Sequence, residues 1–202
     1  MQLEREPTAG NERLTATVGA ILLVLLAVEG VTILSIGQLL SFHIVVGLLI
    51  IPPVLLKLAS TGYRFVRYYA VDRDYVAKGP PHLIMRLLAP LLVVATLTVL
   101  GSGVLLLVLG PHNHRDLVLG VHKASFVVWG GVFGLHVLVY LPRLPRLVFA
   151  RGRPFARIGL LAGSLLAGAA LAVGAYSLAG PWLHRSHDRN RESATSSVSA
   201  FK

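Results

Sequence analysis

An all-α integral membrane bundle of five helices is the fold that the sequence predicts, and three observations predict it. Of 202 residues, 54% are hydrophobic and only 14% charged, and the mean hydropathy is +0.70, too apolar for a soluble domain of this length. The apolar residues fall into five runs, each near the ~20 residues that a helix rising about 1.5 Å per residue needs to cross the hydrocarbon of a bilayer. Basic residues gather between alternate runs, which is the pattern that sets topology. The first four helices are expected to form a cofactor-binding core and the fifth to pack beside it.

Residues 1–13 mix Glu4, Glu6 and Glu12 with Arg5 and Arg13. A secretory signal has a basic start, a shorter apolar core and a small-residue cleavage site, so this stretch reads as a polar tail before a retained helix. The first helix is expected over about 14–36, with Glu29 as its one charge. That carboxylate reads as an interfacial group, with proton handling as the alternative. The second helix is expected over about 39–59, with His43 one turn inside its start, Gly47 four residues on along the same face, a Pro52-Pro53 kink and a snorkelling Lys57 at its end.

The next segment carries Arg64, Arg67, Arg73 and Lys78 among tyrosines, a composition suited to the headgroup level. The third helix is expected over about 86–109, where Gly101 and Gly103 allow close helix approach. The fourth, over about 117–141, carries His122 and His136 on nearly one face, because fourteen residues fall only about 40° short of four turns. Five arginines follow, at 143, 146, 151, 153 and 157, before a glycine-rich fifth helix over about 158–178 and a polar, serine-rich tail over 179–202 that is expected to be disordered.

The basic segments after the second and fourth helices belong on the cytoplasmic side, which predicts a multi-pass cell-membrane protein with its amino terminus inside and its carboxyl terminus outside. The net charge of +10 is therefore read as orientation, with membrane lipid and not nucleic acid as the partner. There are no cysteines, which excludes disulfides, thiolate metal sites, iron–sulfur clusters and covalently attached c-type haem. No nucleophile constellation, phosphate loop or acid pair supports an independent enzyme. The outer histidines His112, His114, His184 and His187 form two close pairs that can take copper or zinc, although their loop and tail positions argue against a permanent site.

With five crossings the second and fourth helices run in the same direction, and His43 and His122 then lie at matching depth. Two level imidazoles facing each other across a bundle are what bis-histidine ligation of a haem iron requires. Gly47 gives a macrocycle room, Phe42, Phe126 and Trp129 are positioned to line it, and Lys123 or Arg115 can neutralise its propionates. His136 lies about 21 Å deeper by helix rise, at the level of Lys57, which suits a propionate partner better than an iron ligand.

A helix with two histidines fourteen apart, opposite a second-helix H-x3-G, resembles the haem b membrane subunits of bacterial hydrogenases and formate dehydrogenases, within the bacterial cytochrome b group. The resemblance covers roughly residues 14 to 141. It implies an outer haem b on His43 and His122, and an inner haem held by His136 and a first-helix histidine that this chain lacks. It also implies electron transfer between an extracytoplasmic redox subunit and membrane quinone. The competing reading is a cofactor-free membrane protein, either a proton-coupled transporter using Glu29 and His136 or an accessory subunit.

Overall fold

The computed structural model describes residues 8–77, 83–111, 115–143 and 154–183. The order is α1 (Ala9–Leu34), α2 (Ile36–Tyr69), the single-turn α3 (Arg73–Val76), α4 (Leu83–Leu109), α5 (Arg115–Tyr140) and α6 (Pro154–Ala175), with no strand among the described residues. Short 3-10 turns follow α5 (Leu141–Arg143) and α6 (Tyr176–Ala179). Five of the helices are long and apolar enough to cross a membrane. The two outer histidine pairs, Lys78 and residues 1–7 and 184–202 of the tails lie outside the described residues, whereas 9–13 belong to α1 and Ala179 and Trp182, expected in a disordered tail, pack against Leu48.

Two antiparallel hairpins make the molecule. In the first, only Ser35 separates α1 from α2, and the chain completes its reversal at Leu39, the one residue of α2 with non-helical torsions (φ −104°, ψ 17°). Val18, Leu22, Ile50 and Val54 form the buried seam of this pair. In the second, α4 packs along α5. The first hairpin carries α6 on the far side of α2, where Leu48 meets Ala172 and Ala179 against Trp182 and reaches Leu107 of α4. Direct packing between α2 and α4 is sparse.

The proline pair does not break α2. Pro52 and Pro53 sit within the helix, and Pro53 has no N–H to offer the carbonyl of Leu49 four residues back. That freed carbonyl lies against Gly168 of α6, where a Cβ would overlap it. The absence of a side chain at Gly168 thus lets two backbones meet where α2 has lost a hydrogen bond.

The second helix is also longer than expected. Its 34 residues run about 51 Å at helix rise, so the aromatic and basic stretch forms its continuation. Partners hold it there: Arg64 pairs with Glu12 at 3.6 Å, and Arg67 pairs with Asp72. Asp72 also caps α3 by accepting from the Asp74 amide at 3.1 Å. Arg67 lies against the rings of Tyr63 and Tyr75.

Lys57 does not extend along the lipid face. It turns into the α1–α2 seam, where its ammonium donates to the Thr15 carbonyl at 2.9 Å. Gly19 provides the space, since a Cβ there would stand 2.7 Å from the lysine Nζ. Thr15, Asn11 and Ser60 complete a polar strip, with Thr15 Oγ1 and Ser60 Oγ 2.9 Å apart and the Asn11 amide donating to the Ser60 carbonyl at 2.9 Å.

Candidate functional site between the hairpins

Where the two hairpins face each other they leave a cavity of about 340 Å³, lined almost wholly by apolar side chains. That volume falls at the lower end of the range for small-molecule sites. His43 of α2 and His122 of α5 both line it, together with Glu29, Gly47, Gly103, Lys123, Phe126, Trp129 and Trp182. The two imidazole centroids are 6.4 Å apart and the ring planes lie at 82°. The sequence-level pairing of His43 with His122 is thus a spatial one.

Each ring is held through Nδ1. For His43 the neighbours are Glu29 Oε1 at 2.9 Å and Thr32 Oγ1 at 3.0 Å. The Thr32 hydroxyl gives its proton to the Glu29 carbonyl at 2.6 Å, so towards His43 it can only accept. A carboxylate likewise only accepts. His122 Nδ1 meets the Val99 carbonyl and Ser102 Oγ, both at 3.0 Å, and Ser102 donates to the Thr98 carbonyl at 2.6 Å. With acceptors facing them, both rings carry a proton on Nδ1, which leaves Nε2 as the nitrogen open to a ligand. Among the described residues Nε2 of neither ring has a hydrogen-bond partner.

Glycines set the rings' clearances. A Cβ at Gly103 would stand 3.1 Å from His122 Cε1, and one at Gly47 would stand 3.3 Å from Glu29 Oε1. The hollow beside Gly47 is thus occupied by the carboxylate that holds His43. Glu29, expected as an interfacial group, turns inward to His43, with its side chain only 14% exposed.

Other expected residues divide between the cavity and elsewhere. Phe126 and Trp129 line it, whereas Phe42 points away and is 62% exposed, because it precedes His43 and so lies about 100° around the helix. Trp129 is pinned by donating to Thr96 Oγ1 at 3.0 Å and stacks on Phe133 at 4.5 Å. Lys123 lines the cavity, while the Arg115 guanidinium lies 5.7 Å over the Trp182 ring. Trp182 itself, unforeseen, donates to the Leu106 carbonyl at 3.1 Å.

His136 is not part of this cavity's lining. Its ring lies tilted at 35° against Tyr140, 4.8 Å between centroids, and its Nδ1 is buried with no hydrogen-bond partner among the described residues. No group of three or more His, Asp or Glu side chains that could hold a bare metal ion occurs among the described residues.

Glu29, read only as an interfacial or proton-handling charge, and Thr32, Ser102 and Val99 are the ring partners that sequence reading did not supply. One signal was available for the first: Glu29 stands six residues before Ser35 and His43 eight after it, so a tight hairpin brings them level. Comparison with protein-family models, with curated proteins and with solved structures gives no match to this chain.

Proposed function

We propose that this chain is a membrane b-type cytochrome in which His43 and His122 would hold one haem, carrying electrons between an extracytoplasmic partner and the quinone pool. The observation that carries the reading is the matched pair of imidazoles, each with Nδ1 occupied and Nε2 free, across an apolar cavity. Metal-bound histidines almost always donate their second N–H to a carboxylate or carbonyl, and here Glu29 and Val99 accept it. A metal–imidazole bond of about 2.0 Å plus the half-width of a ring on each side separates two centroids by about 6 Å, against 6.4 Å here. Haem needs only two protein ligands, since the porphyrin supplies the rest, so the missing third metal-binding side chain does not count against it.

When bound, the haem would supply a one-electron couple. The protein's own part is to fix both imidazole tautomers, to keep water away with apolar lining, and to offer Lys123 and Arg115 to the propionates. The residue resemblance to hydrogenase and formate dehydrogenase cytochrome subunits points the same way. The basic segments support an amino terminus on the cytoplasmic side. His136 and Lys57 remain a candidate level for a second haem, with the first-helix ligand of that family missing.

The test is a dithionite-reduced spectrum of purified protein with a haem-to-protein ratio. The expected result is a low-spin b-type spectrum near one haem per chain. His43→Ala or His122→Ala should abolish it or make it high-spin, and His136→Ala should leave it. Colourless wild-type protein would return the chain to the cofactor-free alternative. Reporters placed near Arg73 and after Lys202 should fall on opposite sides of the membrane.

A further inference from the structure

The two imidazoles differ in what holds them. His122 meets neutral acceptors only, a carbonyl and a hydroxyl, whereas His43 meets a carboxylate at 2.9 Å. Within a membrane span such a carboxylate is costly. It is nevertheless mostly buried, with Oε2 lacking any hydrogen-bond partner among the described residues. Space has been left for it, since Gly47 presents no side chain to the oxygen that faces His43. Thr32 tightens the arrangement by bonding both the Glu29 carbonyl and the imidazole.

We propose that Glu29 is the positioning residue of this site: its carboxylate, seated in the hollow at Gly47, holds the Nδ1–H of His43, aims Nε2 into the cavity and makes His43 the more electron-rich of two unequal ligands. The inference rests on the haem reading. A carboxylate accepting the distal N–H raises the basicity of the ligating nitrogen. A more basic ligand favours ferric over ferrous iron and lowers the reduction potential. In this account Glu29 acts on the iron only through His43. Gly47 acts one step further out, by letting Glu29 approach.

The experiment is a reductive titration of full-length purified protein, with haem content and low-temperature electron paramagnetic resonance, on wild type, Glu29→Gln, Glu29→Asp and Gly47→Ala. Glu29→Gln keeps an acceptor of similar shape without the charge. It should retain haem while the reduction equilibrium moves roughly tenfold towards the ferrous form, about 59 mV for a one-electron couple. Glu29→Asp should recover part of that shift. Gly47→Ala, whose methyl would press on Glu29 Oε1 from 3.3 Å, should move the potential in the same direction with no change of charge. Unchanged potential and resonance in both Glu29→Gln and Gly47→Ala would overturn the assignment. Should Glu29→Gln yield no protein, Gly47→Ala decides alone on the same criterion. Haem-free wild-type protein would overturn the cytochrome reading and this inference with it, whereas a coloured wild type with unmoved variants overturns this inference only.

Discussion

At the scale of single residues, the site depends on clearances of a few tenths of an ångström. Gly103 faces His122 with 3.1 Å between a Cβ position and the ring's Cε1, so Gly103→Val must tilt the imidazole off the Ser102 and Val99 contacts. Haem content should fall several-fold, as the reduced spectrum would show. Ser102→Ala should be much milder, because the Val99 carbonyl still accepts the proton and only about 1 kcal/mol of hydrogen bonding is lost. Outside the spans, burial pushes the Tyr75 phenol above the ordinary tyrosine range, with Tyr63 adding to it and Arg67 and Arg64 opposing. The folded state therefore favours neutral Tyr75. Its contribution to stability is present below the ordinary value of 10.0 and is lost as pH rises towards the folded pKa. An alkaline titration of phenolate absorbance, wild type minus Tyr75→Phe, should show this phenol ionising above the ordinary tyrosine range. The two ligand candidates were legible from the sequence because depth depends only on helix rise. Their Nδ1 partners were not, because Glu29, Thr32, Val99 and Ser102 reach the rings through the rotation of each helix about its axis, which no spacing rule supplies across a hairpin.

Between elements, the α2–α6 contact shows how one sequence feature needs another. Two prolines in mid-helix predict freed carbonyls, and the glycines of the last helix predict a smooth face. That Gly168 is the residue that closes on Leu49 follows only from the packed structure. Gly168→Val should force the helices apart and cost about 1–3 kcal/mol, as overpacking does; thermal unfolding in detergent would register it. Gly163→Val is the control, since a Cβ there meets nothing within 4 Å, and it should change little. The same element scale explains the misjudged end of α2. Arginines and tyrosines after Ser60 signal a headgroup-level segment by composition, but no proline or glycine-rich turn interrupts the helix before Tyr69. Glu12 and Asp72 hold its arginines in place. Lys57 was misread for a related reason: its inward turn depends on Gly19 of the neighbouring helix, a fact of packing invisible along α2 alone.

For the molecule as a whole, the consequential feature is an imbalance of packing. α1, α2 and α6 form one well-packed layer and α4 with α5 another, while the layers meet chiefly around the cavity and through Leu48 and Leu107. α5 has no fully buried residue. A ligand gripped by His43 from one layer and His122 from the other would join them, so its binding energy would add directly to the cohesion of the two halves. Anything that binds only the folded state stabilises it by RT ln(1 + [L]/Kd), about 2.7 kcal/mol when the free ligand stands at a hundred times its dissociation constant. Haem-loaded protein should accordingly unfold at a higher temperature than haem-depleted protein in the same detergent, with the midpoint rising as haem is added back. Amide exchange should slow on the cavity-facing turns of α4 and α5 more than in the α1–α2 seam, which is already packed without it. His122→Ala should remove the haem-dependent rise while lowering the haem-free midpoint only modestly, since the ring sits at the edge of an existing cavity and its contacts to Val99 and Ser102 are worth about 1 kcal/mol. If added haem raises wild type and His122→Ala equally, haem is binding to the bundle without bridging its halves, and the pairing of these two imidazoles has no structural consequence.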